Sequence, residues 1–287
     1  MSNDHPAHGH HHAHCDHDHG VGRRDMLRGG VAATVATAAT AAAVAAGSRP
    51  ARADLAAYED PAEPALPQTD VEVTRGDTAL VITDPQIDFL SPDGVTWGVV
   101  GESVTEHNTV PNIGRLLRAA KDADMTVVIS PHYYYPTDHG WRFEGPLETL
   151  MHAIGMFDRA GPLSLEGFDN SGADFMPEYR DLIMDGRTII TSPHKVYGPQ
   201  VNDLDLQLRK NGVNKVILAG MSANLCVQAH LYDLLERGYE VAVVRDATAG
   251  AKLPEGDGYQ AALINFRYVA NGLWTTDDAV ARIQAAA

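Results

Sequence analysis

Cysteine is scarce: Cys15 and Cys226 are the only two in 287 residues, too few for a disulfide framework. Basic residues are also in the minority, with 22 Lys and Arg against 38 Asp and Glu, for a formal charge of −16. No basic patch with interleaved aromatics interrupts that excess, which argues against nucleic acid and anionic membrane surfaces as partners. The first apolar run is not followed by a Gly-x-Gly-x-x-Gly turn, which removes a dinucleotide-dependent reaction. The small-residue stretch from Gly30 to Gly47 is too short and too weakly apolar to span a bilayer comfortably. Hydrophobic residues make up 44% of the chain, enough for the core of one good-sized domain.

The first 53 residues read as an address. Arg23-Arg24-Asp25-Met26-Leu27-Arg28 precedes the Ala, Val and Thr stretch, and Ala51-Arg52-Ala53 follows it. This resembles a twin-arginine export signal with a small-residue cleavage site after Ala53, and implies delivery to the periplasm or beyond by the twin-arginine translocation machinery. Gly22 and Met26 depart from the usual pattern of that motif. Upstream, eight histidines between His5 and His19 are interleaved with Asp4, Asp16, Asp18 and Cys15, a tract whose composition suits zinc, nickel or copper. Lacking hydrophobic periodicity, it is expected to be disordered and to be lost with the signal. Removal leaves Cys226 as the one thiol.

Beyond a polar lead-in at 54–74, the region 75–287 alternates short apolar runs with helical patterns. Strands are expected at Thr78 to Thr83, Met125 to Ser130, Arg187 to Thr191, Lys215 to Ala219 and Glu240 to Arg245, as continuous Val, Ile and Leu runs. Helical stripes fall at Ile113, Leu116, Leu117 and Ala120; at Val201, Leu204 and Leu208; at Val227, Leu231, Leu234 and Leu235; and at Tyr259, Leu263, Phe266 and Ala270. This alternation predicts a single α/β domain, a three-layer αβα arrangement around a mostly parallel sheet. The segment 133–186, rich in Gly, Pro, Met and aromatics, interrupts the rhythm and is expected to form a lid or wall over a pocket, or a contact to a second copy of the chain.

Sites in open α/β sheets gather at the carboxyl ends of strands. Asp84 follows the first run, Lys195 the third and Cys226 the fourth. With Asn224 as N-cap, Cys226 falls in the first turn of a helix, where free N–H groups favour a thiolate and can hold an oxyanion. Lys195 would lower the thiol pKa further, and Asp84 would accept the thiol proton and return it to a leaving amine. A Cys226–His230 dyad on one helical face is a weaker alternative, since no third group orients the histidine.

Three elements together resemble the isochorismatase-like cysteine hydrolases, a family that includes nicotinamidases and N-carbamoyl amidases. They are the strand-Asp-x-Gln-x-Asp-Phe element at Asp84 to Phe89, the mid-chain Lys195, and Gly220-Met221-Ser222 leading to Cys226-Val227, followed by Asp246-Ala247. The resemblance spans roughly residues 75 to 250. It implies a Cys226-Lys195-Asp84 triad acting through a covalent acyl-enzyme on a C–N bond of a small amide, ureide or carbamoyl compound. It also implies a cis peptide between Met221 and Ser222, an oxyanion hole from the N–H groups of Ser222 and Cys226, and Gln86 and Phe89 beside the pocket. His132, His194 and Tyr197 are further pocket candidates.

Nicotinamidases carry an Asp-x-His metal element after the second strand, where this chain has Ser130-Pro131-His132. The missing carboxylate argues against nicotinamide as substrate, and neither a metal nor another cofactor is expected. Isochorismatase-type vinyl-ether cleavage needs no cysteine nucleophile, so Cys226 points instead to thiol-dependent chemistry. A non-catalytic exported binding or metal-sequestering protein is the alternative of a different class. The export reading predicts a mature protein that begins near Asp54. N-terminal sequencing of the secreted protein checks it, and a retained histidine tract would overturn it.

Overall fold

The continuous apolar runs become the strands of one parallel sheet, because a strand covered by helices on both faces has no solvent side for polar residues. The computed structural model describes residues 58–287; the expected signal, the histidine tract and positions 54–57 of the lead-in lie outside the described residues. In chain order the elements are β1 (Thr78–Thr83), α1 (Ile87–Leu90), α2 (Trp97–Glu106), α3 (Thr109–Asp122), β2 (Thr126–Ser130), α4 (Pro146–Ala153), α5 (Pro177–Ile183) and β3 (Ile189–Ile190). There follow α6 (Leu204–Lys210), β4 (Lys215–Gly220), α7 (Gln228–Glu236), β5 (Glu240–Thr248), β6 (Lys252–Leu253), β7 (Gly256–Asp257), α8 (Gly258–Val269), β8 (Gly272–Trp274) and α9 (Thr276–Ala285). The main sheet runs β3-β2-β1-β4-β5-β8 with every neighbouring pair parallel. Strands β6 and β7 form a separate antiparallel hairpin.

Successive strand residues point to opposite faces, and the core divides accordingly. Leu80, Ile82, Val127, Ile129 and Ile217 pack with Ile113, Leu116 and Leu117 of α3, Tyr179 of α5 and Ile283 of α9. Ala79, Val81, Val128, Val216 and Leu218 pack instead with Leu204 and Leu208 of α6, Leu231 and Leu234 of α7, and Leu263 and Phe266 of α8. The result is the expected three-layer αβα domain. Each of the large apolar side chains buried in these two layers contributes about 1.5–3 kcal/mol.

Several expected boundaries shift. The third strand contracts from Arg187–Thr191 to two residues, and the fifth runs on to Thr248. Val201 is 76% exposed in a 3-10 turn, so it does not belong to the α6 stripe. The sixth strand, β8, is only three residues at a sheet edge and is not marked by an apolar run.

Segment 133–186 is packed rather than hinged. Tyr134, Met151, Met156, Phe157, Phe175, Met176 and Tyr179 are all buried in the core layer that contains α3. Asp88 ties it to the end of β1: its Oδ2 accepts from Phe157 N–H at 2.7 Å, and its own N–H donates to Gly172 O at 2.9 Å. A Cβ at Gly172 would overlap the Asp88 carboxylate, so glycine is required there.

The described part of the lead-in is a strap. Thr69 Oγ1 donates to Asn271 O, while Asp70 accepts from Trp274 Nε1 and Arg282. Tyr58 is buried edge-on against His107 and Tyr259, and Arg267 holds Asp60. His107 stacks on Tyr259 with ring centroids 3.7 Å apart, and its Nε2 is buried without a hydrogen-bond partner.

Burial, reinforced by Lys252 and Arg245 against the opposing Asp257, lowers the His107 pKa to about 4. Because this lies below the unfolded value, the neutral ring contributes stability fully above about pH 6.5 and loses it as pH falls toward 4. The loss is at most about 3 kcal/mol. Urea unfolding of the wild type is expected to weaken across that window, and His107→Gln to flatten the slope. An unchanged slope in the variant would assign the effect elsewhere.

Candidate active site

Strand β1 is flanked by β2 on one side and β4 on the other: the connection out of β1 leads to β2 and the one out of β3 crosses back to β4, which opens a crevice at the carboxyl end of β1. Asp84 stands there in a left-handed conformation, φ 45°, with its N–H bonded to Ser130 O. Across the crevice, β4 ends at Gly220 with φ 114°, where a Cβ would lie 2.0 Å from Thr83 O. Only glycine lets the two strand ends approach so closely. The chain then passes through a cis Met221–Ser222 peptide, as the family resemblance implies, into a π-helical turn Ala223–Val227 that carries Cys226 to the start of α7. Asn224 lies inside that turn and does not cap it; Ser222 occupies the cap position.

Asp84 and Cys226 meet in this crevice. Asp84, His132 and His194 have no exposed surface and Cys226 is 3% exposed. One potential donor atom from each of the four comes within 4.8 Å of all the others. The Asp84 carboxylate splits its duties: Oδ1 accepts from His194 Nε2 at 2.8 Å, whereas Oδ2 has no nitrogen or oxygen partner, and the carboxylate stands within hydrogen-bonding reach of the Cys226 thiol. Burial pushes the Cys226 thiol well above its ordinary range and the Asp84 charge adds to the rise, while the N–H groups of Ser222 and Cys226 favour the anion. The N–H groups at the turn thus act in the expected direction, but burial and Asp84 outweigh them, and the net depression expected for the thiol does not result. In this closed site a thiolate beside a carboxylate is costly, so the pair retains a proton.

Among the described residues Lys195 makes no hydrogen bond or ion pair with Asp84 or Cys226. Its Nζ donates to Tyr133 O at 2.8 Å and to Asp138 Oδ2 at 2.5 Å, and lies 3.6 Å from the centre of the Tyr135 ring. The neighbouring His194 takes the place beside the carboxylate. Successive residues of an extended segment project to opposite sides, and nothing in the spacing of the sequence tells which of the two faces the crevice.

The remaining candidates build the wall. Gln86 Nε2 donates to His132 O and Ala173 O, and its Oε1 accepts from His132 N–H, so its amide is fully occupied in structure. Phe89 is buried edge-on against Phe157. His132 Nε2 donates to Lys195 O at 3.0 Å, and burial drives the pKa of this ring well below its usual value. Tyr197 and Tyr134 lie close enough to Cys226 for a thiolate there to raise their pKa values, after the larger effect of burial. Tyr134 and Asp138 carry no sequence motif that would single them out.

The Cys226–His230 dyad is not formed. His230 Nδ1 donates to the backbone carbonyl of Cys226 at 2.7 Å, not to the sulfur, and its Nε2 accepts from Ser130 Oγ. Ser130 also accepts from Asn202 Nδ2 at 3.0 Å. With its hydroxyl engaged in this way and no carboxylate at its position, the nicotinamidase-type metal element does not fit this chain.

Residues 78–278 match the model of the Isochorismatase domain. The ureidoacrylate amidohydrolase RutB of Variovorax paradoxus (strain S110) is 25% identical over 211 residues, covering 68% of this chain and 79% of that protein. A cysteine hydrolase from Pseudomonas syringae pv. phaseolicola 1448A has the same fold, with a TM-score of 0.64, 22% identity, and coverage of 78% of this chain and 100% of that one. An isochorismatase family protein from Desulfovibrio vulgaris follows with a TM-score of 0.56 and 22% identity, over 72% of this chain and 100% of its own. With the domain matched from the first strand into the last helix and a cysteine thiol and a carboxylate facing each other at the switch point of the sheet, the chain belongs to the isochorismatase family and is a hydrolase.

Proposed function

We propose that the protein hydrolyses a C–N bond in a small amide, ureide or carbamoyl compound, with Cys226 as nucleophile, Asp84 as proton carrier and His194 as the positioning partner of Asp84. The observation that carries this reading is the division of the Asp84 carboxylate, one oxygen held by His194 and the other free in the donor cluster with Cys226. Similarity to a ureidoacrylate amidohydrolase supports the substrate class.

Asp84 takes the thiol proton as the sulfur attacks the substrate carbonyl carbon, so the C–S bond forms and the carbonyl pair moves to oxygen. The N–H groups of Ser222 and Cys226, which already favour negative charge at the sulfur, receive that oxyanion. Collapse breaks the C–N bond, and Asp84 returns the proton to the departing amine. Water, deprotonated by Asp84, then cleaves the thioester and restores the thiol. His194 keeps the carboxylate turned toward the sulfur throughout. Lys195 supports the wall through Asp138 and the Tyr133 carbonyl. For residues 1–53 we propose removal during twin-arginine export.

Release of ammonia or amine from a panel of small amides, ureides and carbamoyl compounds tests the reaction. Cys226→Ala is expected to abolish turnover with the fold retained, and Asp84→Asn to lower it at least about a hundredfold. His194→Ala is expected to cost more in kcat than Lys195→Met. A Cys226→Ala protein working at the wild-type rate would refute the thiol mechanism and favour an Asp84-centred reaction. A larger loss with Lys195→Met would return the lysine to the triad.

A further inference from the structure

Three polar side chains form one line of hydrogen bonds that ends on the backbone of Cys226. Leu204 N–H donates to Asn202 Oδ1 at 3.0 Å, which leaves the Asn202 amide nitrogen to donate to Ser130 Oγ, also at 3.0 Å. His230 Nδ1 faces the Cys226 carbonyl at 2.7 Å, and a carbonyl only accepts, so Nδ1 carries the proton. Burial holds the pKa of this ring well below its usual value, so the ring is neutral and Nε2 is a bare acceptor. The Ser130 hydroxyl, 2.9 Å away, therefore donates to Nε2 while it accepts from Asn202. Donors and acceptors run in one direction from Asn202 through Ser130 and His230 to the Cys226 carbonyl, and neither Ser130 nor His230 has exposed surface. The His230 ring also meets the ring of His194, the partner of Asp84, edge-on at 5.2 Å between centroids.

We propose that His230 is a positioning residue for the reaction: its Nδ1 holds the Cys226 carbonyl and so fixes the π-helical turn that presents the sulfur, while Ser130 and Asn202 fix the ring. The turn sits at a change of helical spacing. Val227 N–H bonds to Ser222 O at 3.2 Å, five residues back, whereas α7 follows with the four-residue spacing of an α-helix. At that change the Cys226 carbonyl takes a bond from a side chain, and an apolar residue at position 230 would leave the bond unmade. A turn relaxed to α-helical spacing would carry the N–H groups of Ser222 and Cys226 away from the sulfur, whose negative charge they favour. Filling the core does not account for this histidine, because an apolar side chain packs there without the cost of burying a polar ring; a fully satisfied buried network instead specifies one geometry.

The inference rests on Cys226 as the nucleophile, and alkylation reads the sulfur with no substrate present, so failure of the positioning role and failure of the hydrolase reading are separately visible. The full chain carrying Cys15→Ala keeps Cys226 as its only thiol. His230→Leu removes the bond to the Cys226 carbonyl, whereas His230→Asn puts an amide N–H in the place of Nδ1–H. The rate of iodoacetamide labelling against pH is expected to have its midpoint raised by at least about half a pH unit in His230→Leu and by less than half as much in His230→Asn, since only the first releases the turn. Asp84, His132, His194, Tyr134 and Tyr197, the titratable groups around the sulfur, are the same in both variants. With an amide that the enzyme turns over, His230→Leu is expected to lose at least about tenfold in kcat with KM within about twofold, and His230→Asn to recover most of the loss. If His230→Leu does not fold, His230→Gln takes its place, because its longer side chain puts the amide near the Nε2 position and leaves the Cys226 carbonyl without its donor. A folded Leu or Gln variant with the wild-type midpoint and kcat, or an Asn variant no better than either, would overturn the proposal and make His230 a core residue only.

Discussion

The close approach of the carboxyl ends of β1 and β4 governs the rest of the structure. It is permitted by Gly220, whose missing side chain leaves room for the Thr83 carbonyl. With the two strands in register from Thr78 opposite Lys215 to Thr83 opposite Gly220, the next residues on each must share one small volume. Asp84 turns into it through a left-handed backbone and Cys226 enters it through a π-helical turn. The chemistry then follows from burial. In a space closed to solvent a thiolate beside a carboxylate is costly, and burial raises the pKa of the Cys226 thiol.

A shell of histidines and backbone carbonyls surrounds that pair. His132 is tied to the Lys195 carbonyl, His194 to Asp84, and His230 to the Cys226 carbonyl and the Ser130 hydroxyl. Each ring has at least one nitrogen engaged with a fixed partner from another part of the chain, so orientation and tautomer are set by the fold. The segment 133–186 closes the shell from outside. It is held by the Gln86 amide and the Asp88 carboxylate, two side chains on the short stretch that follows Asp84. One stretch of about five residues thus presents the Asp84 carboxylate and anchors the wall that covers it.

Much of this was legible in the sequence. Apolar runs mark five of the six strands of the main sheet, and Asp84 and Cys226 stand out as candidate site residues in the stretches that follow two of them. What was not legible depends on direction and on contacts distant in sequence. His194 and Lys195 are adjacent, and which one turns inward is decided by the wall that supplies Asp138 and the Tyr133 carbonyl to the lysine. The grouping of His132 with Asp84 and Cys226 has no sequence spacing at all, since it joins the ends of β2, β1 and β4. Strand β8 is too short to carry a period. The π-helical turn is invisible to cap rules, which place Asn224 at a boundary it does not occupy.

The strap at 58–73 bears on how the chain is made. Thr69 and Asp70 are secured by Asn271, Trp274 and Arg282, residues more than 200 positions further along the chain. The first segment of the domain to leave the ribosome therefore waits, without its partners, for the final helix to emerge. Strand β8 and α9 complete both the sheet edge and the seat of the strap in one step. Such a domain cannot lock section by section from its first strand onward.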